Sequence, residues 1–138
     1  MVVSPKVSTI TVGGVDITTS ISNYSESGGT KKYGMVTGFG NKKEVAQIGA
    51  DDWIVKFDIK LDDDTLYTIF ESGPAEIIVT LNEELEVGAM GTLLTITYSN
   101  ALPQSLSAGM SADNYFKGSI EFLVPYYSET GTENKSVI

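Results

Sequence analysis

The sequence predicts a mainly β protein: an antiparallel β-sandwich or half-barrel with one short α-helix and a long, projecting glycine-rich loop. Three observations carry this. Trp53–Leu61 (WIVKFDIKL) alternates over its whole length, with Trp53, Val55, Phe57, Ile59 and Leu61 on one face and Lys56, Asp58 and Lys60 on the other. That period of two marks a strand with one buried and one wet face. Two β-branched runs near the start, Val7–Val12 and Val15–Ile21, are joined by Gly13-Gly14, a dipeptide suited to a hairpin turn. Ser25–Gly49 holds six glycines (Gly28, Gly29, Gly34, Gly38, Gly40 and Gly49), too many for a well-registered core element.

The remaining elements follow in order. In Val15–Ile21 the residues Val15, Ile17, Thr19 and Ile21 would share a face. Tyr33–Phe39 can form a strand inside the glycine-rich region, which is bracketed by Lys31-Lys32 and Lys42-Lys43 and reads as a projecting β-hairpin or loop. Leu66, Ile69 and Phe70 sit at helical spacing, and Gly73-Pro74 stops the pattern, so a helix of about two turns is expected over Asp64–Ser72. Asp62-Asp63-Asp64 would cap it and complement its dipole. Ala75–Leu81, Leu93–Tyr98 and Tyr115–Val124 complete the strands, with Glu83-Glu84-Leu85-Glu86 as an acidic turn and a polar loop around Pro103 and Gly109. In the last strand Phe116, Ile120, Phe122 and Val124 share a face. The expected organisation is one β domain over residues 1–127, with 25–49 projecting, and a polar tail over 128–138 that is mobile or orders on a partner.

Composition excludes several classes of chemistry. The chain has 138 residues and a formal charge of −9, and all nine of its cations are Lys, with no Arg, His or Cys. It therefore has no imidazole base, no thiolate nucleophile, no Cys/His zinc site, no disulfide framework and no guanidinium fork for phosphate. The negative charge disfavours a nucleic-acid grip. No apolar run is long enough to cross a bilayer, and MVVSPKVSTI has no apolar signal-peptide core, so a cytoplasmic site of synthesis is expected.

Each candidate site meets a plainer reading. Asp62, Asp63 and Asp64 offer oxygen ligands for Ca²⁺ or Mg²⁺, but they lack the alternating spacing and distal Glu of a calcium loop and read as helix cap and solvated surface. Glu83, Glu84 and Glu86 could supply a carboxylate pair and read as a charged turn. Gly38–Lys42 lacks phosphate-loop spacing. Trp53 could stack a ligand, yet it opens the strongest alternating face and reads as core. Tyr24, Tyr33, Tyr126 and Tyr127 are the pieces available for a carbohydrate platform. No enzyme activity, cofactor or metal is expected.

The order of features resembles a family. Strand, Gly-Gly turn, strand (ITVGGVDITTSISNYSES) leads to a loop with Lys31-Lys32 and Gly34, then to Gly40 and Lys42-Lys43, the strand WIVKFDIKL, a short helix (DTLYTIFESG), two strands and a late apolar strand. Over Val7–Tyr127 this is similar to the tail tube proteins of bacteriophages, whose fold recurs in contractile injection machines. The resemblance implies a structural virion protein, assembled in the host cytoplasm. Its hexameric rings complete a β-barrel on oligomerisation and stack into the tube through which DNA passes without specific binding. It places Ser25–Gly49 as the stacking loop and Asp64–Ser72 outside the barrel. Sheath, terminator and baseplate proteins would be further partners. Inter-subunit contacts are expected between Lys31, Lys32, Lys42 and Lys43 and the acids Glu83, Glu84 and Glu86. A terminator, initiator or baseplate-hub protein of the same fold is one alternative, and a capsid-decorating or carbohydrate-binding β-sandwich is another.

Overall fold

In the computed structural model the residues described are 8–38, 40, 43–60, 64–86, 89–110 and 116–138. The strands are β1 (Thr9–Val12), β2 (Val15–Asp16), β3 (Ile21–Gly28), β4 (Lys31–Thr37), β5 (Lys43–Ala50), β6 (Trp53–Lys60), β7 (Ala75–Glu86), β8 (Ala89–Met110), β9 (Phe116–Val124) and β10 (Lys135–Val137). Among the described residues one helix, α1 (Thr65–Glu71), lies between β6 and β7, and a single 3₁₀ turn covers Thr18–Ser20. Every strand pair is antiparallel. The main path runs β2-β1-β7-β8-β9-β6-β3, β10 sits beside β8, and β4–β5 form a separate two-stranded ribbon.

The 22-residue β8 makes the half-barrel. Its first part pairs with β7 through Ala101, and from Leu102 to Met110 it pairs with β9. One layer is therefore β2-β1-β7-β8 and the other β8-β9-β6-β3, with apolar faces turned onto one core. That core follows the alternation: Trp53, Val55, Phe57 and Ile59 of β6 stand in register with Val124, Phe122, Ile120 and Gly118 of β9. Ile77 and Val79 of β7 and Ile10 and Val12 of β1 face them. Phe57 meets Phe122 edge-on at 6.0 Å and stacks on Tyr24 at 5.5 Å. Ile69 of α1 is buried in the same core, and the chain leaves the helix through Gly73 at φ 83°. Asp64 is the N-cap position, but its side chain makes no capping bond; its carbonyl takes the Thr68 amide instead. Asp62 and Asp63 lie outside the described residues.

Four expectations give way. The strand from Val15 stops at Asp16, because the Asp16 carboxylate accepts the Thr18 amide (2.9 Å) and hydroxyl, and this local bonding displaces the ladder. The same bonds hold the Asp16 carboxyl below the usual carboxylate range. Glu83, Glu84 and Glu86 are not in a turn but in β7, opposite Gly91, Met90 and Ala89. A ladder needs only backbone groups, and a strand that outruns the core shows no apolar alternation. The polar stretch around Pro103 and Gly109 is likewise strand. The proline sits where the register shifts between Pro103 and Ser105 on an edge, a position that tolerates a missing N–H. Finally, the segment after Ser128 folds back. Tyr127 bridges Glu133, Asn134 is buried at 3% exposure, and β10 pairs Lys135, Ser136 and Val137 with Tyr98, Thr97 and Ile96. Asn134 donates to the Pro125 carbonyl (2.7 Å), so polar bonding anchors this segment after Ser128, while Tyr126 before it is buried in the core.

The glycine-rich projection is a hairpin, β4–β5, as one of the two expected forms. Its boundaries are narrower than Ser25–Gly49, because residues 25–28 belong to β3 and pair with β6.

Candidate assembly surfaces

Two features of this fold are incomplete in a single chain. The first is the layer β8-β9-β6-β3. Among the described residues β3 pairs with β6 on one side only, and β8 from Leu102 to Met110 pairs only with β9. The layer thus ends in two open edges, of 8 and 9 residues. Because its four strands alternate in direction, β3 and the outer part of β8 run opposite ways. Unpaired strand edges of this length are templates for another chain.

The outward face of the layer is polar and built in rows. Lys56 lies opposite Glu121, and Glu121 opposite Ser105; Asp58, Ser119 and Ser107 form the next row; Lys60, Lys117 and Gly109 the third. The second and third rows, with Ser22 and the intervening Ile59, Gly118 and Ala108, line a concavity of about 760 Å³. Gly118 allows the curvature, since a Cβ there would collide with the Ser107 carbonyl. Among the described residues the rows carry Lys56, Lys60 and Lys117 against Asp58 and Glu121, a mixed charge on a chain of −9 overall.

The second incomplete feature is the hairpin. Its register puts Tyr33, Met35, Val45 and Gln47 on one side and Gly34, Ala46 and Ile48 on the other. Four of the ten large apolar side chains exposed among the described residues are here: Tyr33 (58%), Met35 (69%), Val45 (59%) and Ile48 (73%). A two-stranded ribbon with apolar groups on both faces has no core of its own.

The residues singled out from sequence are distributed unevenly over these surfaces. Lys31 and Lys32 sit at the hairpin base, and Lys32 is bound within its own chain by Asp51 (3.2 Å), both side chains more than half exposed. Lys43 opens β5, and Lys42 lies outside the described residues. Glu83, Glu84 and Glu86 lie at the far end of the β7–β8 ladder, so within one chain they do not meet the lysines across a ladder. Of the four tyrosines, Tyr33 and Tyr127 are exposed, Tyr24 is half-buried and Tyr126 is buried. Trp53 is core, 7% exposed and stacked on Tyr126 at 4.4 Å. Among the described residues no three His, Cys, Asp or Glu side chains converge to hold a metal ion, and no helix is long and apolar enough to cross a membrane.

Sequence reasoning missed a polar chain that closes the seam between the layers. The Tyr24 and Tyr98 hydroxyls bond to each other, Tyr98 donates to Glu26 (2.8 Å), and Lys135 pairs with the other Glu26 oxygen (2.6 Å). Burial first, then the bond with Tyr24 and the Glu26 charge, pushes the Tyr98 phenol far up; burial likewise raises Tyr24. These partners are up to 109 residues apart, and no local pattern announces them. The exposed apolar groups of the hairpin were legible as residues, but the lysines drew the attention.

The fold as a whole has solved counterparts. The chain has the tail-tube fold. A chain of the sheath–tube complex of an extracellular contractile injection system, PVC, in its extended state superposes with a TM-score of 0.71 at 13% identity, covering 95% of this chain and 87% of that one. A chain of the tube-terminating cap of the anti-feeding prophage gives 0.64 at 12% identity, covering 95% and 87%. A chain of the anti-feeding prophage baseplate gives 0.60 at 16%, covering 95% and 90%. The sequence matches no family model and no curated protein.

Proposed function

We propose that this tail-tube-fold chain is a non-catalytic building block of a phage-tail-like tube, in which copies join edge to edge into hexameric rings and the rings stack. The observation that carries the reading is the pair of open edges on the β8-β9-β6-β3 layer, matched in length and opposite in direction. An incoming β3 docks antiparallel on the outer part of β8, so the joint repeats the ladder within the chain. Such a head-to-tail contact gives a ring where its rotation closes, and six copies is the number that the resemblance implies. Six copies of four strands would give a barrel of ~24 strands, wider than the 16–18-stranded barrels that already leave an aqueous channel.

In that ring the polar rows of Lys56/Glu121 and Asp58/Ser119 line the channel, and the hairpin leaves the ring to cover its apolar groups on a neighbouring copy. The hairpin contact is then chiefly apolar, with the lysines at its margins. DNA is the passenger that the resemblance implies, and a virion tail the place of work; the mixed charge of the rows supports passage without specific binding. Tube body is preferred to cap or baseplate component, in line with the higher TM-score of the PVC sheath–tube chain. Sedimentation and negative-stain microscopy of the concentrated chain test the reading: rings or tubes are expected, and a stable monomer at every concentration overturns it.

A further inference from the structure

The hairpin leaves the body through two short legs, Gly28–Thr30 and Asp51–Asp52. The legs are bonded to each other, Asp51 N–H to the Thr30 carbonyl at 2.8 Å and Gly29 N–H to the Asp52 carbonyl at 3.3 Å. Beyond these bonds and the Lys32–Asp51 pair, the legs are held against Trp53 of β6 and by the strap after β9. The Asp52 carboxylate accepts the Tyr126 amide at 2.9 Å. The Tyr126 ring stacks on Trp53 at 4.4 Å and 15° between planes, and Gly29 passes so close to that indole that a Cβ would fall inside it. Tyr127 packs edge-on against Tyr126 at 4.7 Å, and its hydroxyl accepts the Gln47 amide of β5 at 3.3 Å. The far end of the strap returns to the same indole: Lys135 lies 5.7 Å over the Trp53 ring and bonds Glu26 of β3.

We propose that the strap Pro125–Ile138 is a clamp that sets the direction of the hairpin, so that lifting β10 from β8 frees the hairpin to swing about Gly28-Gly29. The release point is weak by construction. β10 has three register partners on β8, extended by the reciprocal bonds of Thr95 and Ile138 and by the Ser99 amide on the Asn134 carbonyl. Val137 (56%) and Ile138 (89%) are exposed. Short ladders of this kind open locally at low cost. By linkage, whatever grips the hairpin in one direction also tightens or loosens the strap. The device needs no tube and is present in a lone chain.

The absence of cysteine makes the test clean. Spin labels at Glu44→Cys on the hairpin and Glu76→Cys on β7 report one distance by double electron–electron resonance in the dilute full-length chain. A single narrow distribution is expected with the strap intact. Its width should grow roughly two-fold in the Asn134→Ala/Lys135→Ala variant, and less in Tyr127→Phe, which removes only the acceptor of Gln47. An unchanged width in both variants overturns the proposal, as does a distribution already broad in the intact chain. If the double variant fails to fold, Tyr127→Phe decides alone: broadening supports the clamp and no broadening refutes it.

Discussion

Replacing Met35, Val45 and Ile48 together by alanine separates an apolar hairpin contact from a charged one. In the single chain these side chains are 69%, 59% and 73% exposed, so truncation removes little folded-state packing. The three changes delete about eight methyl, methylene or sulfur groups, about two-thirds of whose surface is free for a partner. At ~0.8 kcal/mol per buried group, full coverage by a neighbouring copy is worth roughly 4 kcal/mol. That loss raises the concentration needed for stacking by about 10³-fold, since each 1.4 kcal/mol is a factor of ten. The assay is light scattering against concentration, with microscopy to distinguish rings from stacks and a urea melt to check that the monomer is unaltered within about 1 kcal/mol. A triple variant that stacks at the parental concentration would refute the reasoning, because it would leave these three exposed apolar groups with no role in assembly.

Converting Lys31, Lys32, Lys42 and Lys43 to Glu should raise the stacking concentration less than the alanine triple, because exposed pairs are worth about 0–1 kcal/mol each; light scattering at low and high salt compares the two. Tyr98→Phe should cost about 1–3 kcal/mol in a urea melt at neutral pH, since Glu26 loses a buried donor. The Tyr98 and Tyr24 phenols are raised in the folded state, so their stabilisation is complete below the ordinary tyrosine value of 10.0 and is lost as pH climbs above it. The parental chain should therefore weaken faster with alkaline pH than Tyr98→Phe; parallel curves would contradict this. Gly29→Ala should destabilise by about 2–4 kcal/mol, since Gly29 combines φ 68° with contact on the Trp53 indole. Asp64→Asn should change the melt by less than about 0.5 kcal/mol, because no side-chain capping bond is there to lose.

Legibility followed the physics of each element. β6 could be read almost residue by residue, because Trp53, Val55, Phe57 and Ile59 alternate with residues that remain in contact with water. α1 was legible from Ile69, Phe70 and the Gly73 stop. What alternation could not reveal was strand continuing beyond the core: Glu83–Glu86, and Pro103 onward in β8, are held by backbone ladders that place no demand on side-chain type. The strap was hidden for a related reason. Asn134 and Lys135 are anchored by hydrogen bonds and one ion pair with partners far away in sequence. On the assembly surfaces, the hairpin was visible from its glycines, but its apolar coat could be weighed only once both faces were seen to lack a cover. The open edges of β3 and β8 needed the strand order, which no single segment carries.

The edge-to-edge joint is tested most directly by disulfide trapping. Ser25 of β3 and Ser105 or Ser107 of β8 lie on the outward rows of the two open edges, in a chain with no cysteine of its own. Chains carrying Ser25→Cys with Ser105→Cys, or Ser25→Cys with Ser107→Cys, are oxidised at assembling concentration and run on a denaturing gel. The account predicts a ladder of covalent oligomers that ends at a closed ring of six for at least one pair, and no ladder beyond dimer for any of the three single-cysteine chains. Assembled material that yields no ladder with any pair would contradict the joint between β3 and β8.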